Sequence, residues 1–485
     1  MNRLSVESRP TVNVASRLAA FAQQLPDRPA VIVPADRDAA GRRRYHSITF
    51  AELDRDSDRL ARGLRQMGVR PTTRLALLVK PGIDFISLVF ALLKAGAVIV
   101  LIDPGMGRKN LLRCLHEARP AGFVAISPVQ AVRCLLRRRF GEARLNVTVG
   151  RRWFWGGKTI EQLRGGPWSG PELASTAAGD PAAIIFTTGS TGPPKGVLYC
   201  HGNFDRQVTE IRDFYGIEPG GTDLAGFPLF GLFNCAMGMT TVVPDMDASR
   251  PATVDPAKIV EAVRDCGVTQ AFASPAVWNR VGPYCAIHDI RLPTLRRVMS
   301  AGAAVPAYVL ERMQQCIADD GQVHTPYGAT EALPVASISA DEVLSETAER
   351  TRQGAGTCVG RCFPGIECRV IAAVDGPLTQ ITDAQSLPPG EIGELIVRGP
   401  VVTRQYVTRT ESNALAKIAD GEGFWHRMGD VGYLDERQRF WYCGRLSQRV
   451  LTAQGAMYTE CCEAIFHQHP AVYRSALVGV GRPGR

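Results

Sequence analysis

Short apolar runs alternate with stretches of helical period along the first half of the chain. Thr49 and Glu52, a hydroxyl and a carboxylate three residues apart, form a capping box. Leu53, Leu60, Leu64 and Met67 then repeat on one face until Gly68 ends the pattern. Leu75 to Val79 reads as a strand, Asp84 to Ala95 as a helix stopped at Gly96, and Ala97 to Ile102 as a strand closed by Asp103-Pro104. The stretch Phe85 to Ile102 approaches the length of a membrane span. Lys94 and Gly96 interrupt it, so the pattern predicts helix then strand and no transmembrane segment. Residues 107–118 predict a further helix and 122–126 a further strand. Repeated βα units imply an α/β fold with a largely parallel sheet covered by helices.

Further along, Ala182 to Phe186 and Val197 to Tyr199 read as strands. Asn203 is expected to cap a helix that carries Phe204, Val208, Ile211 and Tyr215 on one face and ends at Gly216. Val268 to Ala273 and Arg297 to Ser300 are further short strands. The character changes over 355–400. Gly360, Pro364 and Gly365 precede Glu367 to Ile371, and Pro388-Pro389-Gly390 precede Glu391 to Val397, as in the turn-bounded strands of an antiparallel or barrel-like part.

Composition narrows the class. A length of 485 residues allows about two to four domains. The contents of 45% hydrophobic and 21% charged residues suit an ordinary globular enzyme. The formal charge of +9 comes from basic residues scattered along the chain, apart from Arg137-Arg138-Arg139 and Arg151-Arg152. That suits anionic substrates such as nucleotides, and no aromatic-basic motif points to nucleic acid. The cysteine count, 13, is odd, and no secretory signal opens the chain, so reduced thiols and a cytoplasmic location are expected. Cys358, Cys362 and Cys368 lie close together without zinc-ligand spacing, and they and Cys461-Cys462 read as ordinary buried or surface thiols. Between 133 and 157, arginines stand beside Trp153-Phe154-Trp155. Two readings are open: peripheral contact with a membrane surface or an acyl-bearing partner, or a solvated helix and a loop whose tryptophans pack on the body.

The densest chemistry lies in Thr187-Thr188-Gly189-Ser190-Thr191-Gly192-Pro193-Pro194-Lys195-Gly196, directly after an apolar strand. Glycines let backbone N–H groups turn toward an anion, hydroxyls donate further hydrogen bonds, and a lysine adds a point charge. The pattern is that of a phosphate-gripping loop, though no Gly-Lys-Ser/Thr ends it as in the common NTPases. A Gly/Thr-rich surface turn is the plain alternative. Ser300-Ala301-Gly302-Ala303-Ala304, Tyr327-Gly328-Ala329-Thr330-Glu331, Gly390-Glu391-Ile392-Gly393-Glu394-Leu395, Met428-Gly429-Asp430-Val431-Gly432 and Tyr442 with Gly444-Arg445 follow in order.

Together these segments resemble the motifs of the adenylate-forming superfamily, which includes acyl-CoA synthetases, fatty acyl-AMP ligases and luciferases. The resemblance spans nearly the whole chain. It implies an α/β adenylate-forming fold, with a large N-terminal domain of stacked βα sheets and a β-barrel-like part over 1–446. A small C-terminal α+β domain, hinged at Ser447 and here incomplete, is implied for 447–485, because no match to the family's terminal lysine follows Ser447. It implies ATP and Mg2+ as cofactors. ATP would be bound by Thr187, Thr188, Gly189, Ser190, Thr191, Gly192, Lys195, Gly302, Ala303, Tyr327, Gly328, Thr330, Asp430, Tyr442 and Arg445, with Glu331 as the magnesium ligand. Thr187, Lys195, Thr330 and Glu331 would carry the catalysis. Asp430 would accept from the ribose hydroxyls. Gly390 to Leu395 would be a structural turn into a strand.

The chain departs from the common pattern where relatives carry Pro-Leu-Phe-His. Here Phe227-Pro228-Leu229-Phe230-Gly231-Leu232-Phe233-Asn234 puts a glycine at the expected gate, and Gly231, Phe233, Asn234, Trp278 and Gly302 are the acyl-pocket candidates. With Pro244 to Pro251, Gly356 to Gly360 and Met457-Tyr458-Thr459-Glu460, these departures resemble the β-lactone synthetases of bacterial olefin biosynthesis. That subfamily implies adenylation of a long-chain 2-alkyl-3-hydroxy (β-hydroxy) acid followed by ring closure, and a complex with other olefin-pathway enzymes among its partners. A fatty acyl-CoA synthetase or fatty acyl-AMP ligase with a thiol acceptor, and a non-catalytic nucleotide-binding member, remain open beside it.

Overall fold

The chain divides into two compact units, and the structure, a computed structural model, describes residues 11–167, 169–170, 173–187 and 193–481. The first unit comprises Met1–Gly221, Pro228–Val243 and Thr403–Thr408. Its seven-stranded sheet runs in the order Lys158–Thr159, Val147–Val149, Gly122–Ile126, Arg74–Leu78, Val98–Leu101, Pro181–Phe186, Gly196–Cys200. All neighbours are parallel except the last pair. That is the βα alternation expected, with strand ends within two residues of the predicted ones.

The capping box at Thr49 is formed. The Thr49 hydroxyl accepts from the Glu52 N–H at 3.2 Å, and the Glu52 carboxylate accepts from the Thr49 N–H at 2.9 Å. The helix it starts, Phe50–Gln66, buries Phe50, Leu53, Leu60 and Leu64. The next helix, Ile83–Lys94, is buried almost throughout. Lys94, which broke the apolar stretch, is buried with its ammonium 2.6 Å from Asp54 and 2.5 Å from Asp58, both on the preceding helix. A charge paired in this way belongs in a protein core. Among the described residues no helix is long and apolar enough to cross a membrane.

The second unit comprises Thr222–Phe227, Pro244–Val402 and Arg409–Arg485. Its strands lie in the order Glu367–Ile371, Gly393–Arg398, Gly423–Leu434, Arg439–Arg445, Thr357–Cys362, Ala332–Ser339, Gln322–Ala329, Arg297–Ser300, Gln270–Ala273, Thr222–Ala225. From Thr222–Ala225 to Gln322–Ala329 the pairing is parallel, and from Gln322–Ala329 outward it is antiparallel. One strand, carrying Tyr327, thus marks the change from crossover connections to hairpins. The antiparallel strands expected after 355 extend the sheet. Beyond Thr357–Cys362 the chain passes to the far edge at Glu367–Ile371, and Gly393–Arg398, Gly423–Leu434 and Arg439–Arg445 return inward strand by strand to pair with Thr357–Cys362.

Two readings change. Asn203 does not cap its helix, which begins at His201; Asn203 sits one turn in and its side chain accepts from the Cys200 N–H at 3.0 Å. Cys362 and Cys368 form a disulfide where reduced thiols were expected. The Pro364-Gly365 turn between their strands brings the two Cα atoms to 6.8 Å.

Candidate active site

In the first unit, the antiparallel pair Pro181–Phe186 and Gly196–Cys200 sets Phe186 opposite Gly196. The Thr187 N–H donates to the Lys195 carbonyl at 3.0 Å, closing the base of the phosphate loop. Thr188, Gly189, Ser190, Thr191 and Gly192 lie outside the described residues. Lys195 stands 4.7 Å above the ring of Tyr406. The Gly196 N–H donates to the Thr408 hydroxyl at 2.8 Å and the Val407 N–H donates to the Gly196 carbonyl at 2.9 Å, so the segment Thr403–Thr408 braces the lysine from beside its strand. Tyr406 and Thr408 belong to no motif, and the sequence offered no signal for them. His201, just beyond, is wholly buried with neither ring nitrogen hydrogen-bonded. Burial pushes its pKa down to about 4, which keeps it neutral.

In the second unit the structure brings Tyr327, Asp430, Tyr442 and Arg445 together. Asp430 and Arg445 are register partners on adjacent strands. The Arg445 guanidinium lies 2.9 Å from Asp430 Oδ1, a contact of charges without hydrogen-bond alignment, and it also donates to the Met428 carbonyl at 3.2 Å. The Tyr327 hydroxyl donates to Asp430 Oδ2. The ring of Tyr327 lies 6.4 Å from that of Tyr442 and 5.9 Å from that of Phe440. The site is therefore one buried carboxylate between a cation and a phenol, beside tilted aromatic faces.

Burial disfavours charge on Asp430 and raises its carboxyl to about 6. Arg445 and the Tyr327 hydroxyl oppose that rise, while Glu331 and Glu394 add to it. Tyr327 is pushed well above its ordinary value by burial and by Asp430, so it stays a donor. Burial alone would lower Arg445, but Asp430 and the neighbouring phenols outweigh it and leave the guanidinium raised.

Thr330 and Glu331 form the two-residue tip between Gln322–Ala329 and Ala332–Ser339. Gly328 belongs there because a Cβ would come within 2.7 Å of the Ala332 carbonyl. Lys417 is electrostatically coupled to Glu331, a neighbour the motifs did not reveal. Burial lowers its pKa to about 7 against the opposing pull of that carboxylate. Among the described residues no group of three or more His, Cys, Asp or Glu side chains could hold a metal. Glu331 fits Mg2+ in the way that ion prefers, with one carboxylate and the remaining positions taken by phosphate oxygens and water. Gly302 follows the strand Arg297–Ser300 with a φ of +95°, a conformation that favours glycine, and Gly302 and Ala303 are exposed. Glu394, in the segment assigned a structural role, is buried and accepts from Arg427 at 2.9 and 2.6 Å.

The AMP-binding enzyme family matches residues 18–407. The chain belongs to that family. An olefin beta-lactone synthetase of Xanthomonas campestris pv. campestris is 45% identical over 480 residues, covering 98% of this chain and 85% of the relative. One of Stenotrophomonas maltophilia is 46% identical over 480 residues, covering 97% and 86%. Among solved structures, the amide bond synthetase McbA of Marinactinospora thermotolerans aligns with a TM-score of 0.78 at 24% identity, covering 97% of this chain and 87% of that one. At that identity the likeness concerns the α/β adenylate-forming fold.

The acyl-pocket candidates of this AMP-binding enzyme divide between the units. Gly231 lies in the helix Phe230–Ala236, and a Cβ on it would come within 2.8 Å of the end of Ile86 and 3.4 Å of Thr241. The glycine therefore lets a helix approach its neighbours, and the open space expected behind it is filled by side chains. Phe233 packs 6.2 Å from Phe204 and 5.7 Å from Phe230 within the core, and Asn234 is wholly buried. In the second unit Trp278 is buried with its indole N–H unpartnered. So are the hydroxyls of Ser274 and Ser300, at the same ends of adjacent parallel strands, since Ala273 pairs with Ser300. Orphaned buried donors at the carboxyl ends of parallel strands mark where a polar group of a ligand would be satisfied.

Proposed function

We propose that this AMP-binding enzyme uses ATP to adenylate a long-chain 2-alkyl-3-hydroxy acid and closes the acyl-adenylate to a β-lactone, releasing pyrophosphate and then AMP. The observation that carries the reading is the 45–46% identity, over nearly the whole chain, to two olefin beta-lactone synthetases. The site is consistent with it. Tyr327 and Tyr442 offer faces for the adenine, Asp430 offers ionised acceptors for the ribose hydroxyls, and Arg445 holds that carboxylate in place. Lys195, braced over Tyr406, meets the phosphates at the mouth of the loop. Mg2+, held by Glu331, would offset charge on the phosphate oxygens. A substrate carboxylate oxygen bonds to the α-phosphorus as the bond to the pyrophosphate oxygen breaks. The substrate's own 3-hydroxyl then bonds to the activated carbonyl carbon and the acyl–phosphate bond breaks, the hydroxyl proton leaving with solvent. Because nucleophile and electrophile share one molecule, positioning replaces a second substrate. Trp278, Ser274 and Ser300 are the groups we assign to holding that hydroxyl. In this reading residues 447–485 begin a mobile domain hinged at Ser447, and the reaction runs in the cytoplasm.

The test is incubation with ATP, Mg2+ and a long-chain 2-alkyl-3-hydroxy acid in the absence of coenzyme A, with products followed by NMR. A β-lactone and AMP are expected. Acyl-adenylate that persists until a thiol acceptor is added would move the assignment to an acyl-CoA synthetase or acyl-AMP ligase.

A further inference from the structure

Basic residues are spread along the chain, but their excess over acidic ones is densest in the stretch that holds Arg137-Arg138-Arg139 and Arg151-Arg152. Residues 127–158 hold eight basic side chains against one acidic residue, Glu142, which is +7 of the formal +9. These residues belong to the first unit, at the Lys158–Thr159 edge of its seven-stranded sheet. Three strands separate Val147–Val149 from Pro181–Phe186, where the phosphate loop begins, so the charge is not part of the nucleotide site.

Aromatic side chains stand out from the same edge. Trp153 is 61% and Phe154 77% exposed, whereas Trp155 between them and the core is 4% exposed. Trp155 is anchored, its indole N–H donating to the Thr148 hydroxyl at 3.0 Å. Trp153 stacks on it at 6.1 Å and Phe154 meets it edge-on at 5.2 Å. The exposed rings are therefore held outward by a buried one. The same loop is tied to the helix Ser127–Leu135, because the Ser127 hydroxyl donates to the Arg151 carbonyl at 2.5 Å. Val132 and Leu135, three apart on that helix, are 48% and 83% exposed, and Arg137, Arg138, Arg139, Arg151 and Arg152 are exposed around them. Of the two readings open for this stretch, packing on the body holds for Trp155 alone.

We propose that this edge docks the protein onto an anionic lipid surface, with Trp153 and Phe154 entering the headgroup layer and the arginines meeting the lipid phosphates. An interfacial aromatic beside arginines matches a surface that is apolar within and negative at its boundary. A net excess this large on so short a stretch selects an anionic surface over a neutral one. The inference rests on charge and exposure and stands apart from the reaction assigned above.

The test is co-sedimentation of the full chain with vesicles of phosphatidylcholine alone and of phosphatidylcholine with phosphatidylglycerol, at low and high salt. Binding to the anionic vesicles only, weakened by salt, is expected. The exposed double variant W153A/F154A should lose it. In R137E/R138E/R139E, which leaves the aromatic stack intact, each reversed arginine should weaken partitioning by about fivefold or more. No binding to either vesicle, equal binding to both, or wild-type binding by both variants overturns the proposal. Loss in W153A/F154A with no loss in the arginine variant overturns the charge-selective form of it. An acidic acyl-bearing protein that binds these residues while anionic vesicles do not would replace lipid as the occupant.

Discussion

The residues proposed for the nucleotide in the first unit and those proposed in the second are built on different principles. In the first unit, Thr187 and Lys195 are positioned by backbone: a strand pair, one N–H to carbonyl bond and a bracing segment fix where the loop leaves and returns. In the second unit, Asp430 is positioned by side chains that are themselves ionisable or polar, Arg445 and Tyr327, in a buried setting that shifts its proton equilibrium. A backbone-built half tolerates changes of side chain and pH. A side-chain-built half is a coupled unit, in which removing one member disturbs the rest.

The sharpest way to break that contrast is at Asp430. Asp430→Ala leaves Arg445 without its buried counter-charge and removes the acceptors proposed for the ribose. Truncating one partner of such a pair costs about 2–5 kcal/mol, so ATP affinity should fall roughly 30-fold to several thousandfold. Titration calorimetry with ATP checks it, and a loss under tenfold would mean that the cluster is scaffolding and not a binding site.

The pH dependence follows from the same residue, with opposite signs for fold and function. Asp430 titrates near 6 in the folded protein, against about 3.9 in an unfolded chain. A raised carboxyl favours the fold when protonated. Its contribution is fully present below about pH 4 and is lost as pH rises through about 6, a swing of about 3 kcal/mol. ATP binding needs the ionised acceptor and should strengthen over the window in which stability falls. Asp430→Asn should flatten both profiles between pH 4 and 6. Parallel denaturant melts and ATP titrations across that range decide it, and profiles that move together in the wild type would exclude Asp430 as the ligand group.

On the backbone-built side the expected losses are smaller. Lys195→Ala removes one charge-assisted contact, worth about 1.5–3 kcal/mol, so pyrophosphate release should slow by roughly 10- to 100-fold. Stability should change little, since Lys195 is only partly buried. A larger effect than that of Asp430→Ala would reverse the comparison.

The same division explains what was legible in the sequence. The βα alternation, the capping box at Thr49 and the ordered motifs are local, carried by neighbours in the chain, and each predicted element from Arg74–Leu78 to Arg297–Ser300 has its counterpart. Tyr327, Asp430, Tyr442 and Arg445, which the structure brings together, could be singled out because they sit in short motifs. Tyr406, Thr408 and Lys417 were not, because they act only through partners that folding brings near, such as Lys195, Gly196 and Glu331. Gly231 was misread for a related reason. A glycine in place of a bulky residue announces space, but whether a neighbour such as Ile86 has filled it is a fact of packing.

Gly231 gives the next test. Gly231→Ala would force its Cβ against Ile86, and overpacking of this kind costs about 1–3 kcal/mol. The melting midpoint should drop while the preference among acyl chain lengths stays unchanged, and Ile86→Val added to it should recover part of the loss. A change in chain-length preference at unaltered stability would restore the glycine as a gate.

The smallest effect belongs to Tyr406. Its ring lies 4.7 Å beneath the Lys195 ammonium and forms no part of any motif. If the ring orients the lysine, Tyr406→Phe, which keeps the aromatic face, should behave as wild type. Tyr406→Leu removes the face but keeps an apolar side chain, and a partly exposed cation–π contact is worth about 0.5–1 kcal/mol. The rate of pyrophosphate release should then fall roughly two- to fivefold, with ATP affinity moving by the same factor, and a Lys195→Ala background should abolish the difference between the two tyrosine variants. A Tyr406→Leu effect that persists without the lysine would assign the ring to packing of the strand Gly196–Cys200, and the backbone alone would then account for where Lys195 stands.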